Sequence, residues 1–246
     1  MKKVLMFSYS IIAYLIGFAS LLLWIISVSD LVPEISIDQS PTLPFHLALL
    51  KNFGLVLLFG VQHSIMARQS FKKAFAKFFP KPIERSTFVL ISGLLLVFLV
   101  WQWEPIGGSI WKIHSGSILY YMIYVLFFAG WSILFISTFL INHFDLFGLR
   151  QTYLELQDKP YSPLNFKVFS FYKHVRHPLY FGGILGLWAT PNMTATHLLF
   201  AIGLTAYFII GTLFEERDLK KEFGKAYVDY QSKTRMLIPF PKRIKP

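Results

Sequence analysis

The 246-residue chain carries 24 Lys and Arg against 13 Asp and Glu, a formal net charge of +11, and contains no cysteine. Hydrophobic residues make up 54% of it and charged residues 15%, with a mean hydropathy of +0.52, which excludes an ordinary soluble domain. The lack of cysteine excludes disulfides, thiolate metal sites and a cysteine nucleophile.

Apolar runs come first in chain order. Val4–Ser29 follows Lys2-Lys3 but is too long for a signal-peptide core and has no small-residue cleavage site after it, so it reads as a retained helix. Phe45–Met66, Thr87–Trp103 and Ser117–Asn142 follow. A helix needs about 20 residues to cross the hydrocarbon core, so the Thr87 run is slightly short and the others are ample. Two more runs close the chain: a short one, Tyr180–Ala189, and a full one, Thr194–Phe214. The short run reaches only about half way across as a helix. Ala189-Thr190-Pro191-Asn192 between them reads as the turn of a hairpin. The expected fold is therefore all-α and integral to the membrane, with four transmembrane helices plus a C-terminal helical hairpin, five to six membrane segments in all. Residues 1–142 form the four-helix region and residues 143–246 a C-terminal region that carries the hairpin, the two making one integrated domain.

Loop charge gives the orientation. The Ala67–Ser86 loop holds Arg68, Lys72, Lys73, Lys77, Lys81 and Arg85 against Glu84 alone. The alternate loop, Asp30–Pro44, holds Asp30, Glu34 and Asp38 with no Lys or Arg. The segment from His143 to Pro178 is basic again, as is the Lys242-Arg243-Ile244-Lys245 tail. This is the positive-inside pattern with both termini in the cytoplasm, so the basic charge reflects topology and not nucleic-acid binding.

The chemistry gathers at the ends of the hairpin. Arg176-His177-Pro178-Leu179-Tyr180 precedes it and Glu215-Glu216 closes it, while Phe181–Phe214 between them has no Asp, Glu, Lys or Arg. Ionisable groups at a membrane boundary are costly, and a hairpin returns both clusters to one side. Pro178 at a first helical turn leaves neighbouring N–H groups free for a ligand, and Gly182, Gly183 and Gly186 admit close approach to the backbone. Two readings stand: a ligand pocket, or an interfacial clasp in which Arg176 pairs with the glutamates. The seven histidines show no metal-ligand spacing, so no metal is expected. His63, beside Gln62, and His143, near Asp145, are candidate bases; a structural hydrogen bond is the alternative role for each.

His177-Pro178 with Tyr180, and Glu215-Glu216 with Leu219, Phe223-Gly224, Tyr227, Tyr230 and Pro239, together resemble the isoprenylcysteine carboxyl methyltransferase and phospholipid methyltransferase superfamily. The resemblance covers roughly residues 165–241. It implies an integral membrane enzyme that uses S-adenosylmethionine, held by His177, Tyr180, Tyr172 and Glu215. Arg176 suits the cofactor carboxylate, and Pro178 and Glu216 complete the set. Carboxyl-methylating members carry an arginine four residues before the first glutamate, where this chain has Gly211, so a carboxylate acceptor loses its counter-ion. Ser170 stands where a glycine is usual.

In the N-terminal half, Gln62-His63-Ser64-Ile65-Met66-Ala67-Arg68, Glu84-Arg85-Ser86-Thr87-Phe88, Trp103-Glu104-Pro105 and Asn142-His143-Phe144-Asp145-Leu146-Phe147-Gly148-Leu149-Arg150-Gln151 resemble the nurim family. The similarity is strongest to its bacterial methanethiol-methylating branch and spans nearly the whole chain. It implies methylation of a small thiol, methanethiol, to dimethyl sulfide in a bacterial inner membrane, with the lipid bilayer as the other partner. Another thiol or a lipid amine as acceptor, and a non-catalytic nurim-like scaffold, are the alternatives.

Overall fold

The structure is a computed structural model and describes residues 1–239; the basic tail at 242–245 lies outside the described residues. Its elements in chain order are α1 (Lys2–Ser27), α2 (Phe45–Ala67), α3 (Gln69–Phe75), α4 (Glu84–Gln102), β1 (Ser109–Lys112), α5 (Ile118–Ile141), α6 (His143–Leu146), α7 (Leu149–Leu156), α8 (Pro178–Trp188), β2 (Asn192–Thr194), α9 (Ala195–Phe223) and α10 (Lys225–Lys233). Among the described residues five helices, α1, α2, α4, α5 and α9, are long and apolar enough to cross a membrane, with α8 a shorter apolar helix. The Thr87 run gains its missing length at its N-terminal end. There α4 starts at Glu84, and a single 3₁₀ turn at Lys81–Ile83 extends the span back to Lys81.

The chain divides into two compact units. The first comprises Met1–Ile110, Asn142–Pro163 and Thr194–Leu199. Within it α1 packs on α4 and α7. The buried face of α1 runs Met6, Ser10, Ala13, Gly17, Ser20, Trp24, Ser27, a three-to-four-residue spacing of mostly small side chains. In lipid such a stripe lets two helices approach closely. Gly17 meets Val89 there, and Ser86 Oγ donates to Ser10 Oγ at 2.7 Å. Exposed Leu5, Ile12 and Leu15 occupy the opposite side of α1. Buried Glu104 ties the loops of this unit together. It accepts from the Thr42 backbone N–H (2.9 Å) and hydroxyl (2.6 Å) and from Lys51 (3.1 Å), while Asn52 brackets its backbone. Burial alone would raise the Glu104 pKa; these donors outweigh it and hold the carboxyl below its usual range.

The second unit comprises Trp111–Ile141, Leu164–Met193 and the chain from Phe200 onward. Its main packing is α5 on α8. A Cβ on Gly182 would stand 2.5 Å from the Gly130 carbonyl, and one on Gly186 would stand 2.6 Å from the Trp131 ring. Glycine is required at this crossing because the backbones touch. The short run is the 11-residue helix α8, and the chain turns directly after it at Ala189, where Thr190 N–H donates to Trp188 O at 3.1 Å, as the expected turn requires. Two short strands accompany the all-α architecture. β1 pairs with β2, Ile113 N–H donates to Pro191 O at 2.9 Å, and the Trp111 indole N–H donates to Thr190 O at 3.1 Å. These bonds satisfy backbone carbonyls in the non-helical turn of the hairpin.

Candidate functional site

The hairpin brings its two polar ends together. His177 caps α8, Pro178 occupies the first helical turn, and the preceding segment is pinned by Arg176 N–H to Arg235 O (2.9 Å) and His177 N–H to Met236 O (3.1 Å). Glycine at 224, with φ +54°, breaks α9 from α10, and α10 then returns its Tyr227, Tyr230 and Gln231 face to the cluster.

The adjacent glutamates have different environments. Glu216 is 8% exposed. Its Oε1 accepts from Arg176 Nε (2.6 Å), the Tyr227 hydroxyl (3.5 Å) and His177 Nε2 (3.2 Å), and its Oε2 accepts from Gln231 Nε2 (2.6 Å). Arg176 also donates to the carbonyls of Gln231 and Thr234. Arg176 and Glu216 thus form a closed clasp joining α8, α9 and the chain after α10, the second of the two roles that their sequence positions allow. Glu215 faces outward with its side chain 44% exposed. It accepts from the Tyr180 hydroxyl at 2.9 Å, with His177 Nδ1 3.8 Å away.

Aromatic rings border Glu215. Tyr180 lies 5.4 Å from Phe208 and 5.8 Å from His177, centroid to centroid. Tyr172 offers its carbonyl to the Tyr230 hydroxyl at 2.5 Å, and burial, then the nearby Glu215 charge, raises the Tyr172 phenol above its usual pKa. One turn before Glu215, a Cβ on Gly211 would meet nothing within 4 Å. A half-exposed carboxylate, aromatic faces and open space beside one helix suit a flat, cationic ligand with hydroxyl groups. S-adenosylmethionine has those features, so the residues present fit it.

His63 and His143 both belong to the first unit. His63 on α2 sits between Phe59 (5.7 Å) and Phe88 (4.6 Å). His143, 3% exposed, meets the Tyr14 hydroxyl through Nε2 at 3.1 Å and lies 4.7 Å from the Phe147 ring. Phe88 and Phe147 share one apolar cluster with Met66 and Val89, so both histidines border the same packed region. Burial pushes the His143 pKa down. Asp145 pairs with Arg150 at 2.8 Å. Arg85 donates to Leu146 O at 2.7 Å and stacks over Phe88. Gln231 belongs to none of the sequence motifs, and its place one turn after Tyr227 on an amphipathic helix is the only signal that marks it.

A methanethiol S-methyltransferase of Mycobacterium tuberculosis is 42% identical over 245 residues, 99% of each chain. One of Crocosphaera subtropica is 48% identical over 83% of this chain and 80% of its own. Nurim of Bos taurus is 27% identical over 74% of this chain and 71% of its own. No family model matches the chain. No solved structure matches it. Identity of this degree along the whole length shows that the chain belongs to the methanethiol S-methyltransferase family.

Proposed function

We propose that the protein methylates methanethiol to dimethyl sulfide, with S-adenosylmethionine as donor, in the inner membrane of a bacterium. The observation that carries this reading is the 42% identity with a methanethiol S-methyltransferase over 99% of both chains. Glu215, Tyr180, His177 and Tyr172 would hold the donor, with Glu215 accepting from its ribose hydroxyls or ammonium and the tyrosine faces meeting its cationic and adenine parts. The mutual engagement of Arg176 and Glu216 supports a framework role for that pair, which keeps His177 and Pro178 in register beneath the hairpin.

S-adenosylmethionine, when bound, supplies an electrophilic methyl group on a sulfonium. The thiol gives its proton to a base, and its sulfur forms the new S–CH₃ bond as the donor's S–CH₃ bond breaks; dimethyl sulfide, S-adenosylhomocysteine and one proton result. Of the candidate bases His143 and His63, burial lowers the pKa of His143, which favours its neutral, proton-accepting form. His63 is the second candidate. The absence of a side chain at Gly211, one turn from Glu215, supports a small uncharged acceptor.

The test is headspace analysis of membranes supplied with methanethiol and S-adenosylmethionine. Dimethyl sulfide should appear, and Glu215→Ala should weaken donor binding by about tenfold or more, the scale of one lost charged hydrogen bond. Methylation of a different thiol or of a lipid amine, without dimethyl sulfide, would remove the acceptor assignment.

A further inference from the structure

The sequence Gln69–Phe79 belongs neither to a span nor to the candidate site, and it combines two features that seldom coincide by chance. It carries Lys72, Lys73 and Lys77 with no acidic residue, and it carries Phe71, Phe75, Phe78 and Phe79. Helical geometry from α3 through the turn after it, held by Ala76 N–H to Lys72 O and Phe79 N–H to Phe75 O, turns Lys73 and Lys77 away from the rings and places Lys72 at the edge of the ring side. The rings form a ladder, Phe71 to Phe75 at 6.2 Å and Phe75 to Phe79 at 4.9 Å. Phe71 anchors the ladder to the cluster of Met66, Phe88, Val89 and Phe147. At the other end Phe78 is 81% and Phe79 54% exposed.

The position of the segment decides what covers those rings. α2 is a spanning helix that ends at Ala67, and the chain turns at Arg68 directly into α3. The ladder therefore starts at a membrane boundary, where exposed phenylalanines lie within reach of the headgroup and acyl layer. Lys73 and Lys77 are exposed, and among the described residues Lys72, Lys73 and Lys77 are in no ion pair. Three unneutralised ammonium groups over a phenylalanine wedge complement a layer of phosphate groups.

We propose that this segment is a binding surface for anionic phospholipid, with Phe78 and Phe79 inserted at the acyl boundary and Lys72, Lys73 and Lys77 on lipid phosphates. The interaction is headgroup-selective: phosphatidylglycerol is retained over phosphatidylcholine, and retention weakens with salt.

The test is native mass spectrometry of the full chain released from mixed micelles holding equal phosphatidylglycerol and phosphatidylcholine. Wild-type protein should carry an excess of phosphatidylglycerol adducts. Lys72→Gln/Lys73→Gln/Lys77→Gln together should reduce that excess on the order of tenfold, and Phe78→Ser/Phe79→Ser should lower adducts of both lipids. An unchanged excess in the triple-lysine variant overturns the proposal, as does equal retention of both lipids by the wild type. Should the triple variant fail to fold, raising salt on the wild type decides the question instead: a salt-insensitive excess overturns the proposal and a salt-sensitive one supports it.

Discussion

At Glu215 and Glu216 the covalent structure is identical and the surroundings decide the role. Glu216 neutralises a buried guanidinium, so Glu216→Gln leaves Arg176 without its counter-charge and should cost about 3 kcal/mol, read as a lower unfolding temperature in detergent. Glu215→Gln removes a carboxylate that is already half in solvent, and stability should change by less than about 1 kcal/mol while donor binding falls. If both variants unfold alike, the division of labour between them is wrong. Nothing in the amino-acid order ranks the two, since adjacent helical residues differ in direction by only about 100°, and the direction of the clasp depends on where α10 returns. His143 provides a pH signature at the same scale. Its folded pKa lies below the ordinary 6.5, so the unfolded chain binds the extra proton first. Its contribution is complete above about pH 6.5 and is lost as pH falls toward the folded value. His143→Asn should therefore flatten the fall in stability between about pH 7 and pH 5 relative to wild type.

Among the elements, α8 is the most legible and the least ordinary. A ten-residue apolar run between His-Pro and Thr-Pro is a half-helix or is extended by its neighbours, and the structure makes it an 11-residue helix. The glycines within it signal close approach, but the partner helix is not readable, because Gly130 on α5 is a single glycine in a featureless apolar run. Their roles can be separated by experiment. Gly182→Ala improves intrinsic helix propensity by about 1 kcal/mol yet forces a methyl to 2.6 Å from the Leu134 nitrogen, so α5 and α8 must part. Gly211→Ala gains the same propensity and meets nothing. Gly182→Ala should lower both the unfolding temperature and donor binding, whereas Gly211→Ala should leave stability equal or slightly higher. A larger side chain such as Gly211→Leu should then reduce methyl transfer through occupied space, with folding intact. Loss of folding in Gly211→Ala would show that this glycine, too, is a packing residue.

At the scale of the whole chain the number of crossings has to be reconciled with the loop charges. Five long helices alone would put the termini on opposite sides, against the positive-inside pattern. On that pattern a sixth crossing would have to be made by α8 together with the chain that follows it. α8 rises about 16 Å, and after the turn at residues 189–191 the strand Asn192–Thr194 adds about 10 Å. Ile113 N–H and the Trp111 indole pair the turn carbonyls of Pro191 and Thr190 that precede the strand. Where it ends, Thr194 donates to Asp38 of the acidic Asp30–Pro44 loop, and the Ile106 N–H donates to the Thr196 hydroxyl. The positive-inside reading puts the Asp30–Pro44 loop on the outer side, and it then predicts that the turn reaches that side and that α9 crosses back. Sequence alone does not reveal this pairing, because a three-residue strand needs a partner from a distant segment, here Ser109–Lys112. The native chain has no cysteine, which makes single-cysteine labelling unambiguous. Lys77→Cys and Asp229→Cys, both at exposed positions, should react with an impermeant maleimide only when the cytoplasmic face is open, and Ser40→Cys only from the opposite side. If Asp229→Cys and Lys77→Cys label from different sides, α8 and its extended continuation do not complete a crossing, and the donor site would lie on the face opposite the basic loop.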